Sequence, residues 1–341
     1  MEITIASDAD QPLWDDIVVN SSEGTLFHTW KWLKIMEKHS SKKSFSGRYK
    51  GKLYPLIVWK GKEIIGLMPV FFYDTPYLKI ASSPPLSVEV GYLGPVMKKK
   101  MDITSYKQQI DFHEFQKKID NFLKNTLNSN YIRIKTSPGV SDPRPFIWSN
   151  YEVTPDYTYM IDLSVGEKKI WENFSHTVRK RINYAKKNGL TVETGDKEDI
   201  EIIYNLLNGR QRIQATKEYI VEIFENLPRE NVKIFVAKKD DIPLTGRILI
   251  CYKNKVSAWM GTPKSSIDGI SPNYILYWES ILWACNNNFK HFEIIGAADP
   301  TTYPFKVQFS GEIAPFYTMK WHSSLNRLMS SLYHGLYPHY K

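Results

Sequence analysis

A chain of 341 residues, 42% hydrophobic and 24% charged, has the composition of an ordinary globular protein and the length for two domains or one large one. Its two cysteines, Cys251 and Cys285, lie in apolar contexts without CxxC or Cys/His spacing, which excludes a disulfide framework or a zinc site and leaves buried, inert thiols as the expectation. The formal charge of +9 favours partners that carry phosphate or present an anionic surface, yet no zinc finger, basic-region helix, RRM-type strand or isolated basic tail marks a nucleic-acid-binding module.

The opening MEITIASDADQPLWDD is acidic and has neither the basic start nor the apolar run of a signal peptide. No stretch reaches the roughly 18 to 20 apolar residues of a membrane helix, so a cytoplasmic location is expected. Apolar alternation at Leu53–Trp59 and Glu63–Phe72, joined by the turn KGKE, predicts a β-hairpin. A 3.6-residue period over Gln108–Leu127 predicts a helix, followed by a strand at Tyr131–Lys135. The segment TSPGVSDPRPFIWSNYEVTPD has the Pro, Ser and Asp content of a crossover connection, and the domain boundary falls in it, giving domains 1–150 and 151–341.

One long helix is predicted over Glu167–Asn188, ending before Gly189. A second hairpin, Val232–Ala237 and Thr245–Tyr252 around KKDDIP, leads through Lys253-Asn254-Lys255 to a strand at Val256–Met260. Then come a helix at Pro272–Asn288, with Ser271 as its cap and Ile275, Trp278, Leu282 and Cys285 on one stripe, and a strand at His291–Ile295. The order hairpin, loop, helix, strand thus occurs twice, as in a duplicated α/β (α+β) unit. The terminal SSLNRLMSSLYHGLYPHY reads as a short amphipathic helix, either docked on the protein or in peripheral contact with a membrane surface.

Four stretches in this order resemble the Fem-type branch of the GNAT acyltransferase superfamily, the peptidoglycan aminoacyltransferases and their relatives. They are FHTWKWLKIMEK; GLMPVFFY with GYLGPVM; WENFSHTVRKRINYAKKNG; and NYILYWESILWACNNNFKHFEIIGA running into TYPFKVQFSG. The resemblance implies two tandem GNAT-like domains of mixed sheets flanked by helices, and transfer of an aminoacyl or acyl group to an amine. Some relatives insert a coiled-coil arm in the second half; Thr191–Lys233 is too short for one and lacks heptads, so a tRNA contact through an arm is excluded.

Amide-forming acyl transfer needs a neutral amine, a polarised carbonyl and stabilised charge on the tetrahedral intermediate. The resemblance maps the family's aromatic-Lys pair onto Phe305 and Lys306: a cationic Lys306 would neutralise the oxyanion or leaving group while Phe305 shapes the pocket. Arg179, on the signature helix, is assigned to a phosphate or carboxylate of the acceptor, because its planar fork binds such groups bidentately. Its neighbours Lys180, Arg181, Lys186 and Lys187 read as a solvated basic face. Arg210 and Arg212 are further candidates of the anion-binding kind. Asp299, at a sheet end, and Glu279, beside an apolar stripe, are carboxylates that could accept the amine proton, or could cap a turn and pair with a neighbour. Tyr219 and Tyr303 are candidate wall residues.

The donor stays open between aminoacyl-tRNA and acyl-CoA, with no cofactor beyond that donor substrate. GTPKSSIDGISPN and GYLGPVMKKK both lack the [QR]xxGx[GA] spacing with which a typical GNAT cradles the CoA pyrophosphate. The acceptor is an amine-bearing molecule, in the leading reading a diphosphate-linked cell-wall precursor and, in the acyl-CoA alternative, a sugar amine or small metabolite. A non-catalytic GNAT-fold binding protein is the alternative from another class. No GxSxG, HExxH, Walker loop or GxGxxG is present, the eight histidines are scattered, and no metal is expected.

Overall fold

A computed structural model of the chain describes residues 1–44, 47–99, 104–208, 215–262 and 269–324. The chain divides into two compact units, Met1–Pro155 with Phe316–Lys341, and Asp156–Pro315. Each contains one mixed α/β layer system, the duplication expected from the repeated element order.

In the first unit the hairpin strands are Lys52–Lys60 and Glu63–Asp74, with a register shift between Val58 and Trp59. Alternating apolar residues put Leu56, Val58, Met68 and Val70 into the core, where burial of each such side chain contributes roughly 1.5–3 kcal/mol. Glu2–Ile5 pairs antiparallel outside the hairpin and Lys79–Ser83 antiparallel inside it. The helix Tyr106–Asn121 opens on Ser105, whose hydroxyl accepts from the Gln108 N–H, and continues as a wider turn over Phe122–Thr126. It lays Phe112, Phe115 and Ile119 on the sheet and delivers the chain to Tyr131–Lys135, which runs parallel to Lys79–Ser83.

The second unit repeats this plan. Val232–Lys239, Ile242–Tyr252 and Lys255–Gly261 form three antiparallel strands, flanked outside by Leu190–Gly195. The expected KKDDIP loop is only a two-residue turn: Asp240 and Asp241 both take positive φ, 50° and 61°, a conformation Asp tolerates and hairpin twist requires. The helix Pro272–Asn286 then leads to His291–Ile294, parallel to Lys255–Gly261.

Three expectations need correction. Residues 318–322 of the strand Glu312–His322 pair antiparallel with Tyr131–Lys135 and complete the first unit, so the second domain does not run from 151 to the end of the chain. The connection carries a short helix, Arg144–Trp148, and the start of the strand Glu152–Asp162, whose residues 159–162 pair with His291–Ile294; Pro155 and Asp156 disguised that strand as a breaker. The helix expected over Glu167–Asn188 is two, Glu167–Asn173 and His176–Lys187, because Phe174 and Ser175 are extended and the Ser175 hydroxyl caps the second by accepting from the Val178 N–H.

The terminal amphipathic segment lies almost wholly outside the described residues. Among the described residues no helix is long and apolar enough to cross a membrane.

Candidate active site

Lys306 ends the four-residue helix Tyr303–Lys306, which follows the strand His291–Ile294 through the loop containing Gly296. Its half-buried ammonium donates to two main-chain carbonyls, Ile295 O at 2.9 Å and Gly296 O at 2.7 Å. Gly296 has φ +82°, and a Cβ there would stand 3.1 Å from Lys306 Nζ, so glycine both turns the loop and leaves the amine its place. Burial, and next the Arg247 charge, bring the Lys306 amine down to about 8, against a smaller opposing pull from Asp299. Near neutral pH the group is therefore a cation that surrenders its proton far more readily than a surface lysine.

Phe305 is partly buried in an aromatic cluster, with ring centroids 4.8 Å from Tyr274, 5.6 Å from Tyr277 and 5.3 Å from Phe309. Edge-on and tilted contacts of this kind fix the rings and hold the wall beside Lys306 rigid. Tyr303 is exposed at the start of the same helix. Asp299 is exposed and forms the turn before it, accepting from the Thr301 N–H at 2.9 Å, the Thr301 hydroxyl at 2.7 Å and the Thr302 hydroxyl at 3.2 Å. The Thr301 bonds hold its carboxyl below the ordinary carboxylate range. Asp299 thus has the geometry of the turn former among its two expected roles.

Other expected residues sit elsewhere. Arg179 turns its Nη1 back onto Glu172 O at 2.7 Å and Phe174 O at 3.0 Å, capping the carbonyl end of Glu167–Asn173. Glu279 pairs with Lys186 at 2.8 Å, joining the helices Pro272–Asn286 and His176–Lys187. Lys180, Arg181, Lys186 and Lys187 are exposed, opposite the buried stripe Val178, Ile182 and Ala185, which is the solvated face expected. Tyr219 is a correction: it is fully buried, 6.2 Å from the Trp259 ring, and has no surface left to line an open cleft. Arg212 and Arg210 lie outside the described residues. Cys251 is buried, which pushes its thiol up to about 12, whereas Cys285 is only half-buried. Among the described residues no three His, Cys, Asp or Glu are grouped as a metal would need.

Sequence reasoning missed the polar residues beneath this aromatic wall. Arg247, on the strand Ile242–Tyr252, is only 6% exposed, and its Cζ lies 3.7 Å from the centroid of the buried Tyr277 ring. Two residues earlier on the strand, the Thr245 hydroxyl bonds to that of Thr262 and donates to Asn273 Oδ1 at 3.3 Å. Asn273 and Tyr277 are a turn apart on the helix Pro272–Asn286, so that helix roofs a buried polar strip of the strand. The available signal was a lone arginine within the apolar run GRILICY.

Residues 172–307 match the family model described as an acetyltransferase (GNAT) domain, a span that contains Arg179, Arg247, Tyr277, Phe305 and Lys306. Among solved structures the chain is similar to the crystal structure of FemX, at 12% identity and a TM-score of 0.68 over 97% of this chain and 99% of that one. It is similar to the C-terminal domain of a putative lysylphosphatidylglycerol synthetase from Agrobacterium fabrum, at 13% identity and a TM-score of 0.53 over 94% of each chain. A tandem GNAT protein from the clavulanic acid biosynthesis pathway matches at 10% identity and a TM-score of 0.55, over 94% of this chain and 98% of that one. No curated protein matches it in sequence.

Proposed function

From a chain that is an acyltransferase with a GNAT domain and the fold of the Fem-like tandem GNAT proteins, we propose that its second unit transfers an aminoacyl group to the amine of an acceptor beside Lys306. The observation that carries this reading is the half-buried Lys306 ammonium, held by two carbonyls at the edge of the Tyr274, Tyr277, Phe305 and Phe309 cluster. In the reaction the amine attacks the carbonyl carbon of the donor ester. The C–N bond forms, the carbonyl electrons move onto oxygen, and the C–O bond to the donor breaks when they return. Lys306 neutralises the charge that develops on the oxyanion or on the departing oxygen, and its lowered proton affinity suits it to pass that oxygen a proton. The amine loses its own proton to solvent or to the departing group, and the aromatic wall holds the acyl group against water.

Aminoacyl-tRNA is the leading donor, and an amine of a diphosphate-linked cell-wall precursor the leading acceptor. The FemX-like fold and the exposed basic face of His176–Lys187, which suits polyanionic partners, support that choice. A cytoplasmic site of action goes with both substrates. The acetyltransferase description of the matched domain favours a second reading, in which acyl-CoA is the donor. The assay is single-turnover transfer from aminoacyl-tRNA or acetyl-CoA to a UDP-linked muramyl pentapeptide or a panel of amino sugars. The expected result is transfer from aminoacyl-tRNA, reduced about 10²- to 10³-fold in Lys306→Met with little change in Tm. Transfer from acetyl-CoA alone moves the chain to the second reading, and unchanged transfer in Lys306→Met removes the proposed role of the lysine.

A further inference from the structure

Taking an ionised group out of water is expensive, and proteins normally offset that expense with an opposite charge and a full set of hydrogen bonds. Arg247 has neither. It is 6% exposed, and among the described residues its Nε–H has no partner and the one residue that interacts favourably with its charge, through a side-chain hydrogen bond as well, is Tyr277, a neutral phenol that burial pushes above its ordinary range. A cation over an aromatic face recovers only part of what burial of an ion costs.

The surroundings compound the imbalance. Tyr277 touches Arg247 through its ring and stacks near Phe305 at 5.6 Å, so the arginine and the Phe305-Lys306 pair bracket one aromatic side chain. Among the described residues, the charge felt by Lys306 from another element is that of Arg247, of like sign, and the one acidic group acting on it is Asp299 from its own turn. Space is kept for the guanidinium: a Cβ on Gly261, across the strand pair, would lie 2.8 Å from Arg247 Cζ. Hydroxyl and amide groups follow on the same strip at Thr245, Thr262 and Asn273. Two buried or half-buried cations with no anion between them among the described residues describe a receptor whose anion arrives with the ligand.

We propose that Arg247 is the buried half of a two-cation receptor, with Lys306 as the other half, that binds a carboxylate or phosphoryl group of the substrate during acyl transfer. This rests on the reading of Lys306 as the acyl-transfer site and adds that the ligand must carry a negative charge close to the reacting bond. Arg247 is a substrate-binding residue in this account, and its planar fork selects a bidentate oxyanion. Anion binding also restores the proton affinity of Lys306, so binding near pH 8 draws a proton from solution.

The test uses the full-length protein with two probes at constant ionic strength in chloride, pyrophosphate for the phosphoryl source and malonate for the carboxylate source. Binding is followed by thermal shift, and by calorimetry at pH 8 in buffers of different ionisation enthalpy. At least one probe is expected to raise Tm, with proton uptake; which one does so identifies the anion. Arg247→Gln is expected to weaken that probe about tenfold or more, to leave the ligand-free Tm unchanged or raised because an unpaired buried charge is gone, and to lower kcat/KM for transfer. Lys180→Gln with Arg181→Gln, on the exposed basic face, is expected to leave the response intact. If Arg247→Gln does not fold, the Arg247 Nε resonance in the wild-type protein is followed by 15N NMR, and a shift on adding the probe is expected. The inference is overturned if neither probe stabilises the wild type, or if Arg247→Gln keeps the full probe response with a lowered Tm, which is the signature of a purely structural arginine. Transfer that fails in Lys306→Met but persists unchanged in Arg247→Gln sinks this inference alone and leaves the acyl-transfer reading standing.

Discussion

The two units follow one plan with different interiors. Each has an outer strand, a hairpin, a third antiparallel strand, a helix and a parallel strand, closed by one more antiparallel strand. In the first unit the second hairpin strand, Glu63–Asp74, is buried along its whole length between its ends and holds no charge there. Its counterpart in the second unit, Ile242–Tyr252, carries Thr245 and Arg247 into the interior. Each helix buries a largely apolar face with an amide in it, Gln116 beside Phe112, Phe115 and Ile119 on one and Asn273 beside Ile275, Leu276 and Tyr277 on the other. Both units bury polar groups, Glu23, His28 and Gln116 among them in the first; what differs is that the second hairpin strand buries a cation in the second unit and only uncharged residues in the first, so the fold is common and the charge is not.

That contrast can be broken first at the apolar interior. Phe112→Ala should destabilise the protein by about 3–5 kcal/mol in denaturant unfolding, by loss of burial and the cavity left behind, while folded molecules keep their transfer rate. A loss of rate per folded molecule would place chemistry in the first unit.

The second test uses the shifted lysine. If protonated Lys306 neutralises the oxyanion, kcat/KM falls about tenfold per pH unit as pH rises above about 8, and Lys306→Met flattens the profile. The stability sign is opposite. The folded-state value lies below the ordinary 10.5, so between about 8 and 10.5 the unfolded chain binds more protons and stability rises with pH across that window. Lys306→Met should remove that rise in urea unfolding followed over pH. Activity that increases through the same pH range would make Lys306 a base and overturn its electrostatic role.

Smaller effects test the peripheral residues. Arg179→Ala should lower stability by about 1 kcal/mol through loss of the cap on Glu167–Asn173, with KM unchanged. A KM increase without destabilisation would return Arg179 to the acceptor site. Glu279→Gln should change stability by less than about 1 kcal/mol, as for other partly exposed ion pairs, and leave the pH profile of kcat where it was.

What the sequence showed depended on whether the governing force is local. The hairpins, the helices beginning at Tyr106 and Pro272 and the strand at Tyr131 were legible, because alternation, 3.6-residue periodicity and turn chemistry act over a few residues. The break at Phe174-Ser175 was not, since the surrounding pattern stays helical and a single hydroxyl cap decides it. The closing strands were hidden because their partners are far off in sequence: His322 pairs with Tyr131, and Asp162 with His291. At the site, Phe305 and Lys306 came from the family likeness. Arg247 escaped because its meaning lies in having Tyr277 and no acidic partner among the described residues, and that is a property of three-dimensional neighbours.

The exchange of closing strands bears on synthesis at the ribosome. When residues 1–155 have emerged, Tyr131–Lys135 is still an open sheet edge, and the strand that covers it, residues 318–322, is made only after the entire second unit. The unit begun first is therefore finished last. Until then its unpaired edge is a template for other chains, so a nascent chain arrested before residue 318 should engage holdase chaperones more than the released protein does.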